Sequence, residues 1–221
     1  MNTSHAYPPR AILWDFGGVI LSSPFEAFAR YEAEAGLPKD FIRGLNTRNP
    51  DTNAWAKMER NEVSLAGFVD LFEAEALQQG HTVDGWRILN SLSGDIRPQM
   101  VEALRRCRAA FRVACITNNM RSGEGPGMAR SPEKARAVAE IMTLFEHVVE
   151  SSKLGVRKPD PQIYRHACEL LDVRPEHCIY LDDLGINLKP ARAMGMRTIK
   201  VGDPDVAIAE LEAMVGIPLR G

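Results

Sequence analysis

The hydrophobic positions of this chain are grouped in two ways, as short continuous apolar runs and as residues repeated at helical spacing. The first continuous run, residues 11–21, is interrupted by one carboxylate, Asp15, and by the glycine pair after Phe16. A continuous apolar run predicts a strand covered on both faces. A carboxylate in such a run must be hydrogen-bonded, metal-bound or at the exposed end of the strand. We therefore predict a buried strand that ends at Asp15, with a simple turn residue at that position as the alternative.

Residues 22–92 follow a helical pattern, with aromatic and alanine positions at helical spacing and no β-branched runs. The first predicted helix ends at Gly36-Leu37-Pro38, and its apolar face is formed by Phe25, Phe28 and Ala29. Ser64 is predicted to cap a second helix that stops at Gly80, with apolar positions at Leu65, Phe68, Val69, Phe72 and Ala76. We expect the aromatic side chains of this segment to form a small core of their own, together with Trp55, Met58 and Trp86.

The second half of the chain alternates between predicted helices and predicted strands. Helices are expected at Pro98–Ala110, at 132–144, from Pro161 with Asp160 as its cap, at 187–194 and up to Met214; strands are expected at 112–116, 147–150, 178–181 and 197–201. Residues 120–131 contain three glycines and a proline and are predicted to form a loop. This alternation predicts an α/β fold with a doubly wound parallel sheet. We assign residues 1–21 and 96–221 to this core and 22–95 to a helical insert.

Composition and charge narrow the class of partner. The 221 residues suffice for one substantial core with a smaller inserted unit. The formal net charge of −2 gives no indication of a nucleic-acid or membrane surface. The four cysteines lack Cys-x-x-Cys spacing, which indicates reduced core residues. The N-terminus lacks the apolar core of a signal peptide, and no run approaches the ~20 residues of a membrane span. We therefore expect a cytoplasmic protein with a small-molecule partner; the sequence leaves the oligomeric state open.

Polar residues follow three of the predicted strands at their carboxyl ends. Asp15 follows the first strand, Thr117 and Asn118 end the second, and Asp182-Asp183 follow a later one. In parallel sheets these ends lie on one edge, where ligands bind. Carboxylates brought together raise one another's pKa unless a cation is present, and Mg²⁺ bound with a substrate phosphate would relieve their repulsion. Lys158, in a loop bounded by glycine and proline, is a candidate for contacting a phosphate or neutralising the nucleophile.

Four features resemble, in the same order, the four motifs of the haloacid dehalogenase superfamily: Asp15 at the end of an apolar strand, Thr117 at the end of the next, Lys158 before a proline, and the Asp182-Asp183 pair. From residue 150 to 219 the chain is more specifically similar to the N-terminal phosphatase domain of soluble epoxide hydrolases and to a related domain of an acyl-CoA dehydrogenase family protein. The resemblance implies a Rossmann-like core with a helical cap, and a hydrolase, namely a phosphatase of a small phosphorylated metabolite.

The resemblance also implies a role for each matching residue. Asp15 would be the nucleophile that forms an aspartyl-phosphate, which divides one difficult displacement into two easier ones. Mg²⁺ would be bound by the Asp15 carboxylate, the Gly17 carbonyl and Asp183, with Asp182 and Asn187 in support. The transferring phosphoryl group, which needs donors and positive charge, would be held by Thr117, the Asn118 backbone and Lys158.

Position 17 departs from the family's pattern. Most phosphatases of the superfamily have a second aspartate two residues after the nucleophile, which protonates the leaving group and then activates water; this chain has Gly17. General acid–base assistance contributes about 10²–10⁴-fold. Three hypotheses remain: a phosphatase whose leaving group needs little protonation or receives its proton from a cap residue or water, a dehalogenase in which Asp15 attacks carbon, and a non-catalytic module that binds phosphate or a partner.

Overall fold

The computed structural model of this chain describes residues 7–119 and 132–220. Its strands are β1 (Ala11–Trp14), β2 (Arg112–Thr117), β3 (His147–Glu150), β4 (Cys178–Asp182) and β5 (Arg197–Lys200). They form one parallel sheet in the order β3-β2-β1-β4-β5. Every residue of β1 is buried, because helices cover both faces of the sheet. The predicted α/β class with a parallel sheet is confirmed.

The register places the carboxyl ends of the three central strands side by side. Trp14 of β1 is paired with Cys115 of β2 and with Leu181 of β4. The next residue, Asp15, donates its backbone N–H to the Leu181 carbonyl at 2.9 Å. Strands β2 and β3 lie on one side of β1, and β4 and β5 on the other. A crevice at the carboxyl end of β1 is the usual ligand position in a sheet that reverses its order at that strand.

Helices connect and cover the strands. In chain order they are α1 (Phe25–Ala35), α2 (Phe41–Thr47), α3 (Ala54–Glu59), α4 (Leu65–Gln78), α5 (Gly85–Ser91), α6 (Pro98–Ala110), α7 (Pro132–Met142), α8 (Ser151–Leu154), α9 (Pro161–Leu170), α10 (Gly185–Ala193) and α11 (Pro204–Val215). Apolar residues of α6, α7 and α11 pack on one face of the sheet, and those of α9 and α10 pack on the other. Within the two described ranges, no helix combines the length and apolarity needed to cross a membrane.

The predicted element bounds differ from the structure by a few residues. Helix α7 ends at Met142 rather than 144, and α10 begins at Gly185 rather than 187. Helices α2, α3, α5 and α8 were not predicted, because helices of four to seven residues are too short to show a periodic pattern. The predicted loop at 120–131 lies outside the described residues.

Helices α1 to α5 have an apolar core of their own. Phe68 and Phe72 of α4 are fully buried, and their ring centroids lie 5.3 Å apart. Trp55 of α3 packs edge-on against Phe68 at 5.0 Å. Rings in this offset or edge-on geometry stabilise a core beyond the area that they bury. This cluster agrees with the core expected for the insert.

Two residues of this segment are exposed although Trp86 was predicted to lie in its core and Ala29 on the apolar face of the first helix. Trp86 is 50% exposed, because the buried face of α5 runs through Ile88 and Leu89. Ala29 is also exposed, since α1 turns its Phe28 and Tyr31 side inward. In both helices the residue next to the buried stripe was wrongly assigned to it.

Two adjacent stretches of chain join residues 22–95, which we call the cap, to the sheet. Leu21 forms an antiparallel bridge with Ile96. The Ser22 N–H donates to the Asp95 carbonyl at 2.7 Å. The Arg97 guanidinium donates to the Gly18 carbonyl, three residues after Asp15, at 2.8 Å. Both connections of the cap therefore run beside the end of β1.

We expect Ser64→Ala to lower the free energy of unfolding by about 1 kcal/mol. The Ser64 hydroxyl accepts the Gly67 N–H at 3.1 Å, and without it that N–H has no capping partner at the start of α4. Urea denaturation would measure the change, and Ser64→Asp, which retains a capping oxygen, is the control. A loss of the same size in both variants would contradict the capping role.

Candidate active site

At the carboxyl ends of β1 and β4, one lysine contacts two aspartates. Lys158 Nζ lies 2.7 Å from Asp15 Oδ1 and 2.9 Å from Asp182 Oδ2. The lysine is 1% exposed. Burial lowers the pKa of Lys158, but the charges of Asp15 and Asp182 outweigh that effect and raise it. The ammonium group therefore stays charged, although it is buried.

Asp182 is held in place by several donors besides the lysine. Its Oδ1 accepts the Leu184 N–H at 2.8 Å, and Asn187 Nδ2 lies 3.1 Å from each of its oxygens. The Tyr180 hydroxyl donates to Oδ2. Both oxygens of Asp182 are therefore engaged by protein donors, and Oδ2 also contacts Lys158.

Asp15, Asp182 and Asp183 form an acidic cluster in which each contributes one oxygen within 4.8 Å of the others. Asp15 Oδ1 accepts the Phe16 N–H at 2.7 Å, whereas Asp15 Oδ2 has no hydrogen-bond partner in the described part of the chain. Burial raises the pKa of Asp15 well above its usual range and that of Asp183 to about 6, and the neighbouring carboxylates add to both effects. Three carboxylates around one lysine leave an excess of negative charge. This oxygen donor set fits Mg²⁺.

The two glycines after Phe16 are under different constraints. Gly18 has a φ of +77°, and a Cβ there would lie 2.2 Å from the Asp183 carboxylate, so the close approach requires glycine. Gly17 is exposed, and a Cβ there would contact nothing within 4 Å. The fold therefore requires Gly18 but does not require Gly17. No steric constraint on the backbone therefore explains why position 17 lacks an acidic side chain.

Asn118 joins the end of β2 to the loop that carries the lysine. Its Oδ1 accepts the Lys158 N–H at 2.8 Å, and its Nδ2 donates to the Lys158 carbonyl at 3.1 Å. Thr117, the last residue of β2, is buried beside it. The side chain of Asn118 thus fixes the backbone of the lysine against the strand end.

The cap contributes a residue that the sequence analysis missed. Glu59, the last residue of α3, places Oε2 3.2 Å from Asn118 Nδ2 and 2.5 Å from Arg157 Nε. Burial raises the pKa of Glu59, and Arg157 and Lys158 only partly oppose this. No motif marks position 59, and α3 is too short for a periodic signal. Only the docking of the cap on the sheet reveals the contact.

The structure brings the predicted site residues to one edge of the sheet. Direct contacts join Lys158 to Asp15, Asp182 and Asn118, and Asn187 to Asp182. Asp183 belongs to the same acidic cluster. Thr117 is the last residue of β2, and Gly17 follows the last residue of β1 by three positions. The catalytic roles of these residues remain predictions.

Comparisons with known proteins identify the family. A family model described as haloacid dehalogenase-like hydrolase matches residues 9–195. The chain is 32% identical over 217 residues to mouse acyl-CoA dehydrogenase family member 10, a match covering 96% of this chain and 20% of the relative. It is 29% identical to pig bifunctional epoxide hydrolase 2, and this match covers 95% of this chain and 39% of that relative. The chain thus spans about a fifth and two fifths of these two relatives.

Among solved structures, a haloacid dehalogenase family enzyme of Bacteroides thetaiotaomicron, in complex with magnesium and inorganic phosphate, has a TM-score of 0.56 and 17% identity, with 88% of this chain and 96% of that one covered. Further matches include proteins named as phosphatases and as dehalogenases. This chain belongs to the haloacid dehalogenase-like hydrolase family. The predicted membership and the likeness to the epoxide hydrolase N-terminal region are confirmed.

We expect the stability of the metal-free protein to fall as the pH rises toward about 6. The folded chain retains a proton on Asp183 up to a pKa of about 6, whereas the ordinary value is 3.8. Between these values the folded state binds more protons than the unfolded state, so the free energy of unfolding decreases with rising pH. The raised pKa of Asp15 acts in the same direction.

Mg²⁺ favours the ionised carboxylates, so its stabilising effect should be larger at about pH 7 than at about pH 5. Thermal unfolding with and without Mg²⁺ measures both trends, and Asp183→Asn should weaken both. Stabilisation by Mg²⁺ that is independent of pH would contradict the assignment of the metal to these carboxylates.

Proposed function

We propose that this chain is a Mg²⁺-dependent phosphatase of a small phosphorylated metabolite, with Asp15 as the nucleophile. The observation that carries the proposal is the contact of Asp15 with Lys158 at 2.7 Å inside a cluster of three carboxylates. Such a site has donors for a divalent cation and a fixed positive charge for a phosphoryl group. Phosphatases among the family matches support the same class of reaction.

Each residue of the site has a specific part in this proposal. The Asp15 and Asp183 carboxylates and the Gly17 carbonyl would hold Mg²⁺, which when bound neutralises charge on the phosphate oxygens. Lys158 Nζ, oriented by Asp182, would offer a second positive charge to the same oxygens. Thr117 and the backbone of Asn118 would supply donors at the end of β2. Asn187 would act through Asp182.

In the first half of the reaction a carboxylate oxygen of Asp15 attacks phosphorus. A bond forms from this oxygen to phosphorus, and the bond from phosphorus to the leaving-group oxygen breaks. The leaving oxygen departs with the bonding electron pair. In the second half, the oxygen of a water molecule bonds to phosphorus and the bond from phosphorus to the Asp15 oxygen breaks, with the electron pair returning to the carboxylate. The proton that water loses stays on the released inorganic phosphate or passes to solvent. Lys158 remains protonated and supplies charge in both halves, since its pKa is raised.

The glycine at position 17 restricts the leaving group. With no carboxyl group there to donate a proton, the leaving oxygen must depart as an anion or take a proton from a cap residue or water. This favours substrates whose leaving group is a weak base, such as acyl phosphates or anomeric sugar phosphates, over alkyl phosphates. We therefore place the substrate in the class of activated phosphate compounds.

A screen of phosphate compounds tests the proposal directly. Acyl, anomeric, aryl and alkyl phosphates would be assayed with and without Mg²⁺, with Asp15→Asn as the blank. We expect Mg²⁺-dependent release of phosphate from activated substrates, none from the variant, and a phosphoryl group trapped on Asp15 after rapid acid quenching.

Two other outcomes would replace the proposal. Release of chloride from 2-chloropropionate without Mg²⁺ would establish a dehalogenase. Calorimetric binding of Mg²⁺ and a phosphate mimic, with no turnover and no trapped phosphoryl group, would establish a non-catalytic binding module.

A further inference from the structure

Glu59 connects the cap to both loops that form the predicted phosphate site. Its carboxylate accepts from Asn118 Nδ2 at 3.2 Å and pairs with Arg157 Nε at 2.5 Å. Asn118 follows β2, and Arg157 precedes Lys158 in the chain. One cap carboxylate therefore contacts a residue on each side of the phosphate site.

Side chains of the core also donate hydrogen bonds to backbone carbonyls of the cap near the end of α3. The Ser151 hydroxyl donates to the Glu59 carbonyl at 2.7 Å and accepts the Asn119 N–H at 3.0 Å. Arg157 Nη1 donates to the carbonyl of Pro50, also in the cap, at 2.8 Å. The cap is thus fixed at this point by interactions with three core residues that are separate in the sequence, Asn118, Ser151 and Arg157.

The Glu59–Arg157 pair is largely shielded from solvent. The two side chains are 17% and 21% exposed, so their interaction is less screened than that of a surface pair. The nearby pair of Glu62 with Arg60 contrasts with it, since the Glu62 side chain is 48% exposed. Surface pairs of that kind contribute about 0–1 kcal/mol.

We propose that Glu59 is a positioning residue that sets Asn118 and the Lys158 loop in their phosphate-binding geometry only when the cap is docked. The proposal rests on the phosphatase site described above. Asn118 Nδ2 donates one hydrogen to Glu59 and the other to the Lys158 carbonyl, so loss of the carboxylate removes the contact that ties this amide to the cap. Phosphate binding and cap docking then depend on the same contacts.

Hydrogen exchange of α3 tests the docking without any assay of activity. Glu59→Gln, Arg157→Gln, the double variant and the control Glu62→Gln would be compared with the parent chain in Mg²⁺. We expect Glu59→Gln to speed exchange in α3 by about tenfold, the scale of a lost hydrogen bond to a charged group, and Arg157→Gln to change exchange in the same direction. The effect in the double variant should be smaller than the sum of the two single effects, because the Glu59–Arg157 contact is lost in each single variant. Each residue also has a contact that the other lacks, Glu59 with Asn118 and Arg157 with the Pro50 carbonyl. Additive effects, or unchanged exchange, would overturn the proposal.

Binding of inorganic phosphate tests whether the contacts of Glu59 affect the predicted phosphate site. In the parent chain, phosphate with Mg²⁺ should slow exchange in α3, and calorimetry should show about tenfold weaker phosphate binding in Glu59→Gln than in Glu62→Gln. Equal phosphate affinities in the two variants would overturn the link. If the substrate screen finds no turnover, the phosphatase proposal fails while these binding and exchange results still decide the role of Glu59.

Kinetic measurements on any substrate that the screen identifies would distinguish a positioning role of Glu59 from a role as proton donor. A positioning residue should slow aryl and alkyl phosphates by the same factor when Glu59 is replaced by Gln. A loss that grows with the basicity of the leaving group would make Glu59 the proton donor and overturn the positioning role.

Discussion

Replacing Gly17 with aspartate should speed the hydrolysis of alkyl phosphates by about 10²–10⁴-fold, the usual contribution of a general acid. The backbone accepts the change, since a Cβ at position 17 would contact nothing within 4 Å and φ lies outside the left-handed region. The new carboxyl group would lie two residues after Asp15, where it could protonate the leaving oxygen. Activated phosphates should gain little, because their leaving groups do not need the proton.

Steady-state kinetics over a series of leaving groups would measure this effect. Gly17→Asn is the matched control, because its side chain has nearly the same shape and carries no transferable proton. Equal acceleration by both variants would show that the gain comes from side-chain contacts. No gain with aspartate on any alkyl phosphate would contradict the view that position 17 lacks only an acid.

Replacing Lys158 with methionine should destabilise the metal-free protein by about 3–5 kcal/mol at neutral pH, because it leaves buried carboxylates without their cation. The lysine contacts Asp15 and Asp182 at 2.7 and 2.9 Å and is almost fully buried. The loss should shrink at acidic pH, where Asp15 becomes protonated owing to its raised pKa. The variant should also fail to accumulate a phosphoryl group on Asp15.

Denaturant unfolding at several pH values, followed by acid-quench trapping, tests both effects of the lysine. Lys153→Met is the control, since Lys153 is 69% exposed, and its replacement should change stability by less than about 1 kcal/mol. A loss of stability in Lys158→Met that stays constant with pH would mean that lost packing, not the unpaired carboxylates, causes it.

The sequence allowed much of the core to be predicted. Continuous apolar runs identified the buried strands, and Asp160 followed by Pro161 located the start of α9, where the Asp160 side chain accepts the Gln162 N–H. Both signals are local, because an apolar run and a helix cap each consist of residues that are close together in the sequence. In the cap, short helices gave no such signal, and Trp86 was wrongly placed in the core for that reason.

The candidate site was predicted only in part. Asp15, Lys158 and the Asp182-Asp183 pair could be found because each occupies a defined place after a strand or in a motif. Glu59 could not, since its contact with Asn118 joins residues 59 positions apart and depends on how the cap docks. The order of the strands also decided which carboxylates share the site, through pairing of β1 with both β2 and β4.

The sequence by itself determined the class of fold, the family and the absence of a carboxyl group at position 17. The tertiary structure decided that Gly18 must be glycine, because the Asp183 carboxylate fills the space of a side chain there, and that Gly17 need not be. It also decided that Asp182 contacts the lysine while other protein donors engage both of its oxygens. The physical reason is the same in each case: residue identity fixes the available chemistry, whereas charge pairing and close packing depend on which distant segments meet.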